Sequence, residues 1–172
     1  LQGHPNMHHL PGVEMSTGSL GQGISNCVGM AIAEKLDKTE ARIYVLVGDG
    51  ELQEGMVWEA LMAASHYELD NLCVIVDNNG LQIDGKNEDV MGIAPLDEKF
   101  ESFGFNVIDI DGHDMESILR GFELAKERKG SPSVIIAHTH KGYGVSFMED
   151  DPSWHGKAPN DDQARQALSE LK

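Results

Sequence analysis

Asp49 and Asn79 are the residues of this 172-residue chain whose types and spacing best suit chemistry. One brings a carboxylate and the other a carboxamide oxygen, both hard donors of the kind Mg²⁺ requires. Each sits in a glycine-bearing turn, Gly48-Asp49-Gly50 and Asp77-Asn78-Asn79-Gly80. The turn after Asn79 can add a main-chain carbonyl, that of Leu81. In an octahedron, these protein oxygens leave room for two oxygens of a diphosphate and a water. Gly48 and Gly50 allow the backbone to approach a ligand closely. A helix N-terminus after Gly50 would aim free N–H groups at an anion. The chemistry is that of a divalent cation tethering a phosphorylated ligand.

Those turns need rigid elements to hold them. An apolar, β-branched run from Ile43 to Val47 ends at the first, and a second, from Leu72 to Val76, ends at the other. Between them Met56, Val57, Leu61, Met62 and Ala63 recur at helical spacing, with Glu54, Glu59 and His66 interleaved. Strand, helix, strand with a crossover of this length predicts a parallel pair, whose shared carboxyl edge is where ligands bind in open α/β sheets. Upstream, Leu20, Ile24, Cys27, Val28, Ala31, Ile32 and Leu36 keep the helical period, and Gly21, Gly23, Ser25 and Gly29 offer close packing. Downstream, a short helix from Leu96 to Phe103 stops at Gly104. A half-buried strand runs from Phe105 to Ile110, and Asp114 caps a helix to about Arg128. Ser133 to Ala137 reads as a buried strand, and Asn160 or Asp161 caps a last helix to Leu171. Lys86 to Pro95 reads as a polar connection. The expected fold is α/β, a three-layer open parallel sheet with helices on both faces.

GDG followed one crossover later by Asn-Asn resembles the thiamine-diphosphate signature. Five stretches, PGVEMSTGSLGQGISNCVGMAIAEK, GDGELQEGMVWEA, DNNGLQIDG, KGYG and WHGKAP, together resemble the N-terminal, pyrophosphate-binding domain of transketolase over nearly the whole chain. The resemblance implies the thiamine-diphosphate-binding fold. It implies thiamine diphosphate as cofactor, held through Mg²⁺, with Ca²⁺ or Mn²⁺ acceptable, on Asp49, Asn79 and Leu81. It places Gly18, Ser19 and Leu20 at the aminopyrimidine, Gly50 and Glu51 at the diphosphate, and Ile83 on the thiazolium ring. Lys141 and His155 fall near the diphosphate, and His4 near the donor sugar. Glu54 and Glu59 match glutamates of a proton relay between cofactors across a dimer. The implied catalytic set is His4, His155, Glu54 and Glu59. The implied reaction, in the pentose phosphate pathway, moves a two-carbon ketol unit from a ketose phosphate to an aldose phosphate.

Other residues admit plainer readings. Glu51 and Glu54 suit the dipole of a helix first turn, and Ile83 reads equally as a core aliphatic in a turn. His8 and His9 read as solvated loop histidines, and His138 as structural.

A net charge of −16 and a pI near 4.7 disfavour nucleic acid and anionic membranes as partners. An anionic sugar must then be met by local positive charge. Cys27 and Cys73 lie inside apolar runs and read as buried thiols in a reducing, cytoplasmic compartment. No signal peptide or membrane-spanning run is expected. Residues 1–172 read as a single domain that begins inside a motif, so the fold is expected to be N-terminally incomplete. Nothing here resembles the family's pyrimidine-binding domain, which carries the activating glutamate. A complementary C-terminal subunit is therefore expected, in an α₂β₂ assembly of the split bacterial type. Two readings compete: another thiamine-diphosphate enzyme, such as one like deoxyxylulose-phosphate synthase, and a catalytically inactive interaction module.

Overall fold

A computed structural model describes residues 3–171. In chain order the elements are α1 (Gln22–Leu36), β1 (Ile43–Gly48), α2 (Gly55–His66), β2 (Leu72–Asn78), β3 (Leu81–Gln82), β4 (Gly85–Lys86), α3 (Asn87–Val90), α4 (Leu96–Ser102), β5 (Asn106–Asp111), α5 (Met115–Glu127), β6 (Ser133–His138) and α6 (Asp161–Glu170). Four strands form one parallel sheet in the order β1-β2-β6-β5. The register pairs Gly48 with Asp77, Asn78 with His138, and Asp111 with His138. All four carboxyl ends therefore lie along one edge.

Side chains alternate across each strand, and the two faces bury different sets. On one face Val45, Val47, Leu72, Val74, Val76, Val134 and Ile136 meet Ile24, Val28 and Ala31 of α1, Val57 and Leu61 of α2, and Phe100 of α4. On the other, Cys73, Ile108, Ile110, Ile135 and Ala137 pack with Ala125, Ile118 and Phe122 of α5. The sheet is thus the middle of three layers, as the sequence predicts. At the β1 edge this second face stays open: Leu46 is 69% exposed. Burial pushes the Cys73 thiol up to about 11, whereas Cys27 is only half-buried.

The caps follow their expected chemistry. Asp114 accepts from the N–H groups of Glu116 and Ser117 at the start of α5. Asn160 and Gln163 form a reciprocal capping box on α6. Two expectations need correction. The polar stretch after Ile83 is not unstructured: β3 and β4 pair as a small hairpin and α3 adds one turn. Two-residue strands are too short to show periodicity. Gly29 has nothing within 4 Å of a would-be Cβ, so it is not a close-packing position, whereas at Gly21 a Cβ would meet Met56 at 2.8 Å. No helix among the described residues is long and apolar enough to cross a membrane.

The core and the open face should respond oppositely to truncation. Phe100 is fully buried against Trp58 and Phe105. Phe100→Ala should cost about 3–5 kcal/mol in chemical denaturation, while Leu46→Ala should change stability by less than about 1 kcal/mol.

Candidate functional site

Asp49 leaves β1 directly into the shared edge and is 1% exposed. A carboxylate buried that far needs donors. Oδ1 accepts from the Gly50 N–H at 2.8 Å and Oδ2 from the Gly80 N–H at 2.5 Å. The second bond crosses from one strand end to the next. It works because Gly80 adopts φ +74°, a left-handed turn that L side chains rarely tolerate. The Asn79 Oδ1 accepts from the Leu81 N–H at 3.0 Å, closing the same turn. The side chains of Asp49 and Asn79 therefore flank Gly80 on one edge, and each acceptor oxygen keeps a second lone pair for a cation.

Asp49, Asn79 and Leu81 line an open cleft of about 1330 Å³, which continues past Asp109, His138 and His140 at the ends of β5 and β6. No group of three or more His, Cys, Asp or Glu side chains that could hold a metal converges among the described residues. The donors here are a carboxylate, a carboxamide and main-chain carbonyls. That oxygen set fits a hard cation that completes its shell with ligand oxygens and water. Burial raises the Asp49 pKa, opposed by the Gly80 N–H, the Asn87 amide beside it and the Gly50 N–H, while the nearby Asp77 charge adds to the rise.

The expected helix N-terminus beside Asp49 is not there. Gly50–Gln53 form a short 3₁₀ turn whose first N–H is taken by Asp49, and α2 starts only at Gly55, after Glu54 turns extended. The Glu51 carboxylate is also engaged: Oε1 accepts from Gly21 N–H at 2.8 Å and Oε2 from Gly48 N–H at 3.3 Å. It thereby ties the start of α1 to the end of β1. Glu54 and Glu59 are exposed on α2.

The remaining sequence candidates lie outside the lining of this cleft. Gly18, Ser19 and Leu20 form an exposed lead into α1. The His4 ring packs on Gly18, where a Cβ would come within 2.5 Å of it, so glycine is required there. Ile83 is 65% exposed at the hairpin tip, which excludes a core role for it. Lys141 Nζ stands 3.4 Å from Nδ1 of the exposed His155, and Trp154 packs on Phe147 instead.

Three cleft features escaped the sequence. His138 is held between Asp109, at 2.9 Å, and Asn78, at 3.3 Å. His113 stacks on Tyr143 and accepts from the His140 N–H at 2.8 Å. Asn87 lies buried beside Asp49. The histidines were visible as residue types, but their partners are distant in sequence. Asn87 carried no signal.

The family described as "Transketolase, thiamine diphosphate binding domain" matches residues 1–171. One of the two apulose-4-phosphate transketolase subunits of Actinobacillus succinogenes is 48% identical over 172 residues, 100% of this chain and 62% of that protein. The 6-deoxy-6-sulfo-D-fructose transketolase subunit SqwG of a Clostridium species is 41% identical, again over 100% of this chain and 62% of the relative. Transketolase from Campylobacter jejuni superposes with a TM-score of 0.86 at 37% identity, covering 92% of this chain and 26% of that one. The chain thus spans less than two thirds of the length of these relatives.

The raised Asp49 pKa has a definite sign. Its ionised form costs the fold stability at neutral pH, and acidification through the folded pKa removes that cost. A proton therefore competes with a cation for Asp49. The rise in melting temperature caused by Mg²⁺ with pyrophosphate should shrink on acidification, starting above the ordinary aspartate pKa of about 3.9. A cation-induced shift that stays constant down to about pH 4 would contradict this.

Proposed function

The chain belongs to the transketolase family through its thiamine diphosphate binding domain, and from that premise we propose that it is the pyrophosphate-binding subunit of a split transketolase. Residues 1–172 are read as one such domain. The observation that carries the reading is the bond from the Gly80 N–H to Asp49, which seats the Asn79 turn against the carboxylate. Asp49, Asn79 and the Leu81 carbonyl would hold Mg²⁺, or Ca²⁺ or Mn²⁺ on the same oxygens, and through it the diphosphate. Bound there, the cofactor supplies the nucleophilic carbon for moving a two-carbon ketol unit from a ketose phosphate to an aldose phosphate.

This chain's residues position groups and handle protons. Main-chain groups of Gly18, Ser19 and Leu20 would meet the aminopyrimidine, and those of Gly50 and Glu51 the diphosphate. The exposed Ile83 side chain is free to cover the thiazolium face. Lys141, beside His155, would offset phosphate charge. His4 and His155 would orient sugar hydroxyls and transfer protons, being near their useful pKa. Glu54 and Glu59, exposed on α2, remain free for a relay towards a second protomer.

Relatives whose names mark them as one subunit of a transketolase support a separate complementary chain, carrying the pyrimidine-binding domain, in an α₂β₂ assembly. Two relatives are named for apulose 4-phosphate and for 6-deoxy-6-sulfo-D-fructose, both sugars with an anionic group. The proposed substrates are accordingly ketoses and aldoses bearing phosphate or a similar anion, with those of the pentose phosphate pathway the first to screen. The free cysteines, Cys27 and Cys73, suit a reducing cytoplasm.

The purified chain alone should show no ketol transfer, and mixing it with the complementary subunit should restore it. Asp49→Ala should lower the rate of the mixture by more than about 100-fold, beyond the loss usual for outer-sphere partners of a metal. Ketol transfer by the isolated chain, or an unimpaired Asp49→Ala mixture, would refute the proposal.

A further inference from the structure

Asn87 is 5% exposed, and neither heteroatom of its side chain has a hydrogen-bond partner. Among the described residues it is the one side chain left wholly unsatisfied in this way. Arg42 and Asn71 each leave one buried atom unpaired, and each bonds through another. A buried carboxamide without partners is unfavourable enough to call for a reason.

The backbone of Asn87 is fixed. Its N–H donates to the Gly80 carbonyl at 2.9 Å, and its carbonyl accepts from the Met91 N–H at 2.9 Å. Gly80 in turn donates to Asp49. The unsatisfied amide is therefore pinned to the same turn that pairs with the buried carboxylate. It lines the cleft beside Asp49, and its Oδ1 lies 3.6 Å from the position of a Cβ on Gly50. Lys86 and Glu88, its chain neighbours, point their charges outward and pair with each other at 3.6 Å. Asn87 alone of this stretch turns inward.

We propose that Asn87 is a positioning residue for the cation site: its Nδ2–H group holds the Asp49 carboxylate in the orientation that ligates the cation, and its Oδ1 accepts from a water of the loaded site. Metal-ligating carboxylates are themselves usually hydrogen-bonded, and such partners set affinity without touching the metal. In the cation-free protein Asp49 is satisfied by Gly50 and Gly80, so the amide waits unpaired. This inference rests on the proposal that Asp49 binds a cation.

The test uses the full chain with its complementary subunit and titrates Mn²⁺ in the presence of inorganic pyrophosphate, following free Mn²⁺ by electron paramagnetic resonance. Asn87→Leu keeps the volume and removes both polar atoms. It should weaken Mn²⁺ binding by about 10- to 100-fold. It should also leave the melting temperature of the cation-free protein unchanged or raised, because an unsatisfied amide has gone. Asn87→Ser, which retains a smaller hydroxyl, should recover part of the affinity. Mn²⁺ affinity within about twofold of the parent in Asn87→Leu would overturn the proposal. So would a loss of affinity in both variants that tracks a lowered cation-free melting temperature, which marks a packing role. Asp49→Ala is the separate control: unchanged Mn²⁺ binding there removes the cation site itself, whereas loss there with no loss in Asn87→Leu removes only the role of Asn87.

Discussion

The rest of the structure turns on one buried negative charge. A carboxylate 1% exposed at the end of a strand can ionise only if its surroundings donate to it. Asp49 takes one N–H from its own turn and one from Gly80, thirty-one residues away. The second donor fixes much else. It requires β1 and β2 to pair in the register that sets Gly48 against Asp77. It requires Gly80 to take a left-handed conformation. It also requires the hairpin of β3 and β4 to fold back, because the Gly80 carbonyl is then engaged by Asn87. A slip of one residue in the β1–β2 register would break all three and turn Val45 and Val47 out of the core.

The two apolar layers supply the rigidity that this arrangement needs. Leu72, Val74 and Val76 face one layer while Cys73 and Ile75 face the other, so β2 is clamped from both sides. β6 is treated alike, with Val134 and Ile136 on one face and Ile135 and Ala137 on the other. The strands whose ends carry Asn79 and His138 are thus the interior strands of the sheet. β1 is an edge strand and has less support, since Tyr44 and Leu46 look outward. Glu51 compensates locally by binding the Gly48 N–H at the strand end and the Gly21 N–H at the start of α1.

The sheet was legible in the sequence because each strand is a short apolar run closed by turn residues, and that pattern survives without any tertiary knowledge. The same feature located Asp49 and Asn79, since both sit where such runs stop. What was not legible depends on contacts far apart in the chain. Glu51 reads locally as a first-turn acid, yet its partners include a glycine thirty residues upstream. The 3₁₀ turn after Asp49 forms because the carboxylate captures the Gly50 N–H, a competition that helical periodicity does not encode. Ile83 looks like a core aliphatic by type, but it sits at the tip of a hairpin too short to have an interior. Asn87 is the hardest case: one polar residue in a polar stretch, marked only by burial without partners.

Charge explains why the proposed site would need a metal. The chain carries −16 overall, and the cleft itself is walled by Asp49, Asp109, Asp111 and Asp150. A bare diphosphate approaching those carboxylates meets like charge, and the long-range field of the protein adds to the repulsion. Two of the histidines there are already committed to acids, His138 to Asp109 and His140 to Asp150, so they offset their own neighbours first. A divalent ion between Asp49 and the diphosphate reverses the local sign at the one place where a carboxylate is buried and its charge poorly screened. Lys141 then has a narrower task, beside His155 at the far side of the strand ends: to neutralise what charge the cation leaves. On this view the acidity of the cleft works as a selectivity device, admitting phosphorylated ligands only when they arrive with a cation.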